Sequence, residues 1–175
     1  MMFKERFVID SNVFINSKNF YYSFSYCKIF WDLLLELHKK GLVYSINSVK
    51  NELKDGNDEI VDWINNEVPS SFFVPEFSSS TWGNNYSTLM NWANSATCKF
   101  TDKAKMDFAN TSKADAFLIA EAMTSGNSII TFEAFDPNNP RKRVLIPNAA
   151  RAHGVKTLTL YEFLPIFAHN NFTCK

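Results

Sequence analysis

Phe7-Val8-Ile9-Asp10-Ser11-Asn12 is the stretch on which the fold turns. Three apolar residues, two of them β-branched, run straight into a carboxylate and then into small polar residues. The run is too short for a helix, so it reads as a buried strand of a parallel sheet. In open α/β sheets, ligands sit beyond the carboxyl ends of the strands. Asp10 stands where this strand stops, which makes that point the first place to look for chemistry.

Working outward, residues 6–9 are the first strand and 11–22 a polar, aromatic loop. A helix runs from about Ser23 to Lys40, with Cys27, Ile29, Phe30, Leu33, Leu34 and Leu37 at helical spacing and Gly41 as its stop. Leu42 to Ile46 is the second strand. Ser48 opens a helix carrying Glu52 and Leu53, and Asp58 to Ile64 forms another. Phe72 to Val74 is a third strand, and residues 85–109 are irregularly helical. Thr111 and Gly126 bound the best-defined helix, and Ser128 to Thr131 is the fourth strand. A loop covers 132–142, Val144 to Ile146 is extended, and Pro147 begins a short helix to Ala152. Val155 to Leu158 is the last strand. Thr159-Leu160-Tyr161-Glu162 has the capping-box spacing of a final helix. Strands alternate with helices throughout, which predicts one α/β domain over residues 1–175 with a parallel sheet covered on both faces.

Of the 175 residues, 46% are hydrophobic and 15% aromatic, with 17 phenylalanines, so a sizeable aromatic core or an apolar partner surface is expected. Lys+Arg and Asp+Glu balance at 18 each. A polyanion would therefore have to be held by local charge or by metal ions. Cys27, Cys98 and Cys174 are far apart and form no CxxC, which gives no support to a zinc knuckle or redox pair and fits free thiols in a reducing cytoplasm. No run of apolar residues is long enough for a membrane span.

Four carboxylates fall near strand ends or helix starts: Asp10 after strand one, Glu52 a turn into the helix after strand two, Asp115 in the first turn of its helix, and Glu133 two residues past strand four. On a parallel sheet these points share one edge. Four carboxylates in one cleft repel each other, and a divalent cation such as Mg²⁺ offsets that charge with oxygen ligands. Such a site suits metal-assisted phosphoryl transfer. Each acid also has a plainer use. Asp10 can cap the next element, Asp115 can form a capping box with Ser112, and Glu52 and Glu133 can be solvated. The conjunction of the four favours the site. No GxxxxGK[ST] or GxGxxG occurs, so nucleotide-loop chemistry has no support.

Val8-Ile9-Asp10-Ser11-Asn12-Val13-Phe14-Ile15 resembles the opening motif of PIN domains. Ser48-Val49-Lys50-Asn51-Glu52-Leu53 resembles their second motif, and Lys113-Ala114-Asp115-Ala116-Phe117-Leu118-Ile119-Ala120 their third. Ile129-Ile130-Thr131-Phe132-Glu133 stands where the family has Thr-x-Asp, with glutamate as a departure. Order and rough spacing agree over residues 6–165. The resemblance implies a three-layer α/β/α sandwich and a Mg²⁺- or Mn²⁺-dependent ribonuclease, in particular a VapC-like toxin of a type II toxin–antitoxin pair. It implies Asp10, Glu52 and Asp115 as metal ligands and Glu133 as fourth acid, with Asn12 and Thr131 orienting ligands, water or substrate. The products would be a 5′-phosphate and a 3′-hydroxyl. A cognate antitoxin and a homodimer are the partners it implies.

Arg141-Lys142-Arg143 follows the acidic loop and is placed either to hold a phosphate backbone or to be a solvated cluster. Lys99, Lys103, Lys105 and Lys113 precede the third acid, diluted by Asp102 and Asp107. Phe20, Tyr21 and Tyr22 can stack on unpaired bases, but core packing or an antitoxin contact is the favoured use. His38, His153 and His169 are isolated, and the four tryptophans are expected in the core. The function expected is endoribonuclease action on single-stranded RNA. The alternative is a non-catalytic scaffold that binds RNA or a protein. A phosphatase of the haloacid-dehalogenase type also starts with a strand and Asp, but it needs a second aspartate two positions on, where this chain has Asn12.

Overall fold

The computed structural model describes residues 5–138 and 141–168. Five strands, β1 (Phe7–Ile9), β2 (Val43–Ile46), β3 (Phe73–Val74), β4 (Ser128–Thr131) and β5 (Thr157–Thr159), form one sheet in the order β3-β2-β1-β4-β5. Every pairing is parallel, with Val8 opposite both Tyr44 and Ile129. Helices flank the sheet in a three-layer α/β/α sandwich. The chain builds outward from β1 to β3, then returns to β4 on the other side of β1. That reversal is a topological switch point between β1 and β4, where open α/β sheets leave a crevice.

The sheet centre is dry. Val8, Ile9, Val43, Ile46, Ile129 and Ile130 are buried, as expected for strands covered on both faces. Helix α2 (Lys28–Lys39) packs on β2, and α9 (Leu160–Phe167) packs on β4 and β5. Aromatic rings fill the layers. Phe7 meets Phe163 and Phe167 edge-on, while Trp31 contacts Phe24, Phe30 and Trp63. Of the four tryptophans expected in the core, Trp31, Trp63 and Trp82 are buried, while Trp92 is half-buried against it. Cys27 and Cys98 are free thiols; Cys174 and His169 lie outside the described residues.

Several element boundaries differ from expectation. Residues 11–22 are not a loop. Ser11–Asn16 is helix α1, anchored by buried Val13 and Phe14, and Ser17–Tyr21 continues it as a π-helix in which the Tyr22 N–H donates to the Ser17 carbonyl at 2.5 Å. Three adjacent apolar residues between asparagines carry no helical period, so packing overrides the local signal. Helix α2 starts at Lys28 rather than near Ser23. Ile146 is not extended but opens α8 (Ile146–Ala152).

The segment expected to be irregular resolves into α5 (Ser80–Asn94) and α6 (Asp102–Phe108), with Ser79 and Thr101 as side-chain N-caps. Helix α5 packs on α7 (Asp115–Ser125), where Trp82 and Tyr86 meet Phe117. Glu52 lies in α3 (Asn47–Asp55), and α4 (Glu59–Asn66) supplies Trp63 to the core. Thr159 and Glu162 form the expected capping box of α9. Among the described residues no helix is long and apolar enough to cross a membrane.

Candidate active site at the β1–β4 switch point

Strand β1 ends at Ile9, and Asp10 turns the chain into α1. Its backbone is held on both sides: the Asp10 N–H donates to the Ile130 carbonyl at 3.0 Å, and the Asp10 carbonyl accepts from Val13 at 3.1 Å. The residue is 1% exposed. Its carboxylate makes no side-chain cap to α1, so capping does not explain it. One oxygen accepts from Thr131 Oγ1 at 2.8 Å, and the other has only a long 3.5 Å contact with Ser11 Oγ. Burial first, and then the nearby charge of Asp115, push the Asp10 carboxyl well above the usual carboxylate range. Thr131 opposes the shift, and Glu133 and Glu52 add to it.

Asp115 is the first residue of α7. The capping box expected with Ser112 does not form: Ser112 turns back to Asn110, and the N-cap position is Ala114. The Ala114 N–H is taken instead by Glu52 Oε1 at 2.7 Å. Glu52 is therefore not a solvated surface acid; it ties α3 to the start of α7. The Asp115 carboxylate makes no hydrogen bond or ion pair among the described residues. Burial raises its pKa to about 6, with Glu133 and Glu52 adding and Arg143 and Lys113 opposing.

Glu133 is fully engaged. One oxygen accepts from Arg143 Nη2, and the other accepts the Ile146 N–H at 2.7 Å, at the start of α8. Thr131, entirely buried, donates to Asp10 while its oxygen accepts from the Glu133 N–H at 3.1 Å and from Asn12 Nδ2 at 3.4 Å. Asn12 Oδ1 accepts the Phe132 N–H at 3.0 Å. Asn12 and Thr131 thus hold the end of β4 against the end of β1 and fix the Asp10 carboxylate.

A cavity of about 450 Å³ opens beside these groups, lined by Asp10, Asn12, Glu52 and Asp115 and by Lys103, Lys113, Lys142 and Arg143; Glu133 and Thr131 do not line it. Of the basic triplet, Lys142 and Arg143 line it. Arg141 does not; its carbonyl instead accepts the Thr101 N–H at 2.9 Å, which joins this loop to α6. The wall formed by α6, with Lys103, Ala104, Asp107 and Phe108, was not foreseen as part of the site. The signal was present: Thr101 before Ala104 is an N-cap spacing, and Ala104 and Phe108 stand four apart on one helix face.

The donor set consists of hard oxygens, and its buried negative charge has no cation in direct contact with Asp10. Mg²⁺ fits that chemistry, because it is usually held by one or two carboxylates with its own waters and substrate phosphates. Among the described residues no group of three or more His, Cys, Asp or Glu side chains is arranged to hold a metal ion. Only Asp10 and Asp115 remain without a charged partner or a backbone donor, since Glu52 and Glu133 each cap a helix start.

The chain belongs to the family described as "Domain of unknown function (DUF4411)", whose model matches residues 7–170. No curated protein matches it.

Proposed function

We propose that the chain is a divalent-metal-dependent endoribonuclease that hydrolyses phosphodiester bonds of single-stranded RNA, acting in the cytoplasm as the toxin of a toxin–antitoxin pair. The observation that carries the nuclease reading is the buried Asp10 near Asp115, two carboxylates with raised pKa values lining one cavity together with cationic side chains. Such a pair is costly unless a cation and an anionic substrate meet there. Asp10 and Asp115 would hold Mg²⁺ or Mn²⁺, with Glu52 lining the same cavity. A divalent cation at such a site supplies a water-derived nucleophile and stabilises the departing oxygen.

The chain's own residues do the rest. Thr131 and Asn12 hold Asp10 in place. Lys103 and Lys142 bind the phosphate backbone. Glu133 orients Arg143 and anchors the start of α8. The choice of RNA, the toxin role, the antitoxin partner and a homodimer rest on the resemblance to PIN domains.

Cleavage of a labelled single-stranded RNA with Mg²⁺, Mn²⁺ or EDTA tests this reading. Cutting should require metal and vanish in Asp10→Asn and Asp115→Asn. Equal cutting by the wild type and both variants would mean a contaminant and remove the support for the site. A non-catalytic scaffold binding RNA or a protein is the second reading, and the engagement of Glu52 and Glu133 with backbone N–H groups favours it. It predicts no cutting with any metal and RNA binding that is unchanged by Asp115→Asn.

A further inference from the structure

Beside the acidic cavity lies a group of aromatic rings that the core does not absorb. The π-helix after α1 brings Phe20 and Tyr21 to the surface, 70% and 44% exposed, and Tyr161 at the start of α9 is 50% exposed. Tyr21 stacks on Phe132 with centroids 5.5 Å apart and planes at 21°. Tyr161 stands edge-on to both rings, at 5.8 and 5.7 Å, and Phe20 meets Tyr21 edge-on at 6.3 Å. Tyr22, next along, turns inward and stacks on Phe30, so core packing accounts for it and not for its neighbours. π-Helical turns are rare and recur at functional sites.

The position of the group narrows what it can bind. Phe132 directly follows Thr131, which bonds Asp10, and the Phe132 N–H is held by Asn12, which lines the cavity. None of the four rings lines the cavity itself, but these two bonds tie the Phe132 backbone to the residues that hold Asp10, so the aromatic edge adjoins the acid site. The rim contributed by Lys103 and Lys142 borders the same cavity. A ligand that matches all three must carry planar apolar groups and anionic groups in alternation. Single-stranded nucleic acid does so, and a duplex keeps its bases stacked inside.

We propose that Phe20, Tyr21 and Tyr161, backed by Phe132, form a stacking platform for an unpaired nucleobase next to the scissile phosphate. The inference deepens the nuclease reading and rests on it for the word scissile. The stacking itself is independent of cutting. It also gives a physical origin for a preference for single strands.

The test is fluorescence anisotropy in EDTA, in an Asp115→Asn background so that nothing is cut. The probes are a labelled single-stranded RNA of about 12 nucleotides, the same sequence as single-stranded DNA, and the RNA duplex. Tyr21→Leu should weaken single-strand binding about 10- to 100-fold, Phe20→Ala and Tyr161→Leu about 5-fold or more, and Tyr21→Trp should restore it, with duplex binding unchanged. Loss on both single strands, or on RNA alone, supports the platform. Single-strand binding by Tyr21→Leu and Phe20→Ala within about twofold of the parent overturns it, as does equal loss on single strands and duplex. If the parent binds no single strand but runs as a dimer that Phe20→Ala splits, the rings are a protein–protein surface and the platform is wrong. A wild type that cuts RNA with Mg²⁺ while Tyr21→Leu binds normally loses the platform and keeps the nuclease. Stacking-dependent binding without any cutting does the reverse.

Discussion

At the scale of single residues, the site is a set of carboxylates doing two different jobs. Asp115 carries charge at a cost. Its folded pKa of about 6 lies above the ordinary value of 3.8, so it contributes stability below about pH 4 that is lost as the pH rises through 6. Above that, the metal-free protein carries a penalty on the order of 2–3 kcal/mol. Asp115→Asn should therefore melt later than the wild type in EDTA at pH 8, with little difference at pH 4, as urea titrations at the two pH values would show. A wild type as stable as the variant at pH 8 would mean that the carboxylate is already compensated. Glu52 works the other way. Glu52→Ala leaves the Ala114 N–H unpaired and should cost about 1–3 kcal/mol, whereas Glu52→Gln keeps an acceptor and should cost less. Asp10 was legible in the sequence because an acid at the end of a buried strand is hard to explain by solvation. The partners of Glu133 were not legible, since a backbone N–H at Ile146 is met only after the intervening loop has folded.

The elements show where reading by period succeeds. The strands β1 and β4 were plain, and so were the body of helix α7 and its stop at Gly126, because continuous apolar runs leave few alternatives; its start lies at Asp115 rather than Thr111. Helix α1 and its π-helical extension were missed because their fold is decided by Val13 and Phe14 packing inward, not by local pattern. Helix α6 is the telling case. Its seven residues are too few to be stable alone, and it is held by the Thr101 cap on the Ala104 N–H at 3.2 Å and by burial of Ala104 and Phe108. Thr101→Ala should cost about 1 kcal/mol and act locally. Hydrogen exchange across residues 102–108 should speed up while that of α7 stays slow. Because this helix carries Lys103, RNA affinity should fall with it. Unchanged exchange in the variant would show that burial alone holds the wall.

For the molecule as a whole, topology and charge act together. The order β3-β2-β1-β4-β5 puts the reversal between β1 and β4, so Asp10 and Glu133 flank the crevice. The architecture was foreseeable from the alternation of strands and helices, since parallel pairing follows once crossover helices separate the strands. The net charge of zero means that no long-range field draws a polyanion in, and binding must come from the cations at the cavity. Four of them line it, but Lys113 pairs with Asp107 at 3.7 Å and Arg143 with Glu133, which leaves Lys103 and Lys142. For single strands each neutralised phosphate contributes about −0.7 to the slope of log K against log salt, so two contacts predict a slope of about −1.4. Lys103→Ala and Lys142→Ala should each flatten it by about 0.7 and weaken all sequences alike, as anisotropy over a salt series would measure. A much steeper slope that neither variant changes would place the binding face away from the acidic cavity. A shallow slope that each variant flattens in turn would mean that a nearly neutral protein holds RNA through two local charges, leaving selectivity to the aromatic edge beside them.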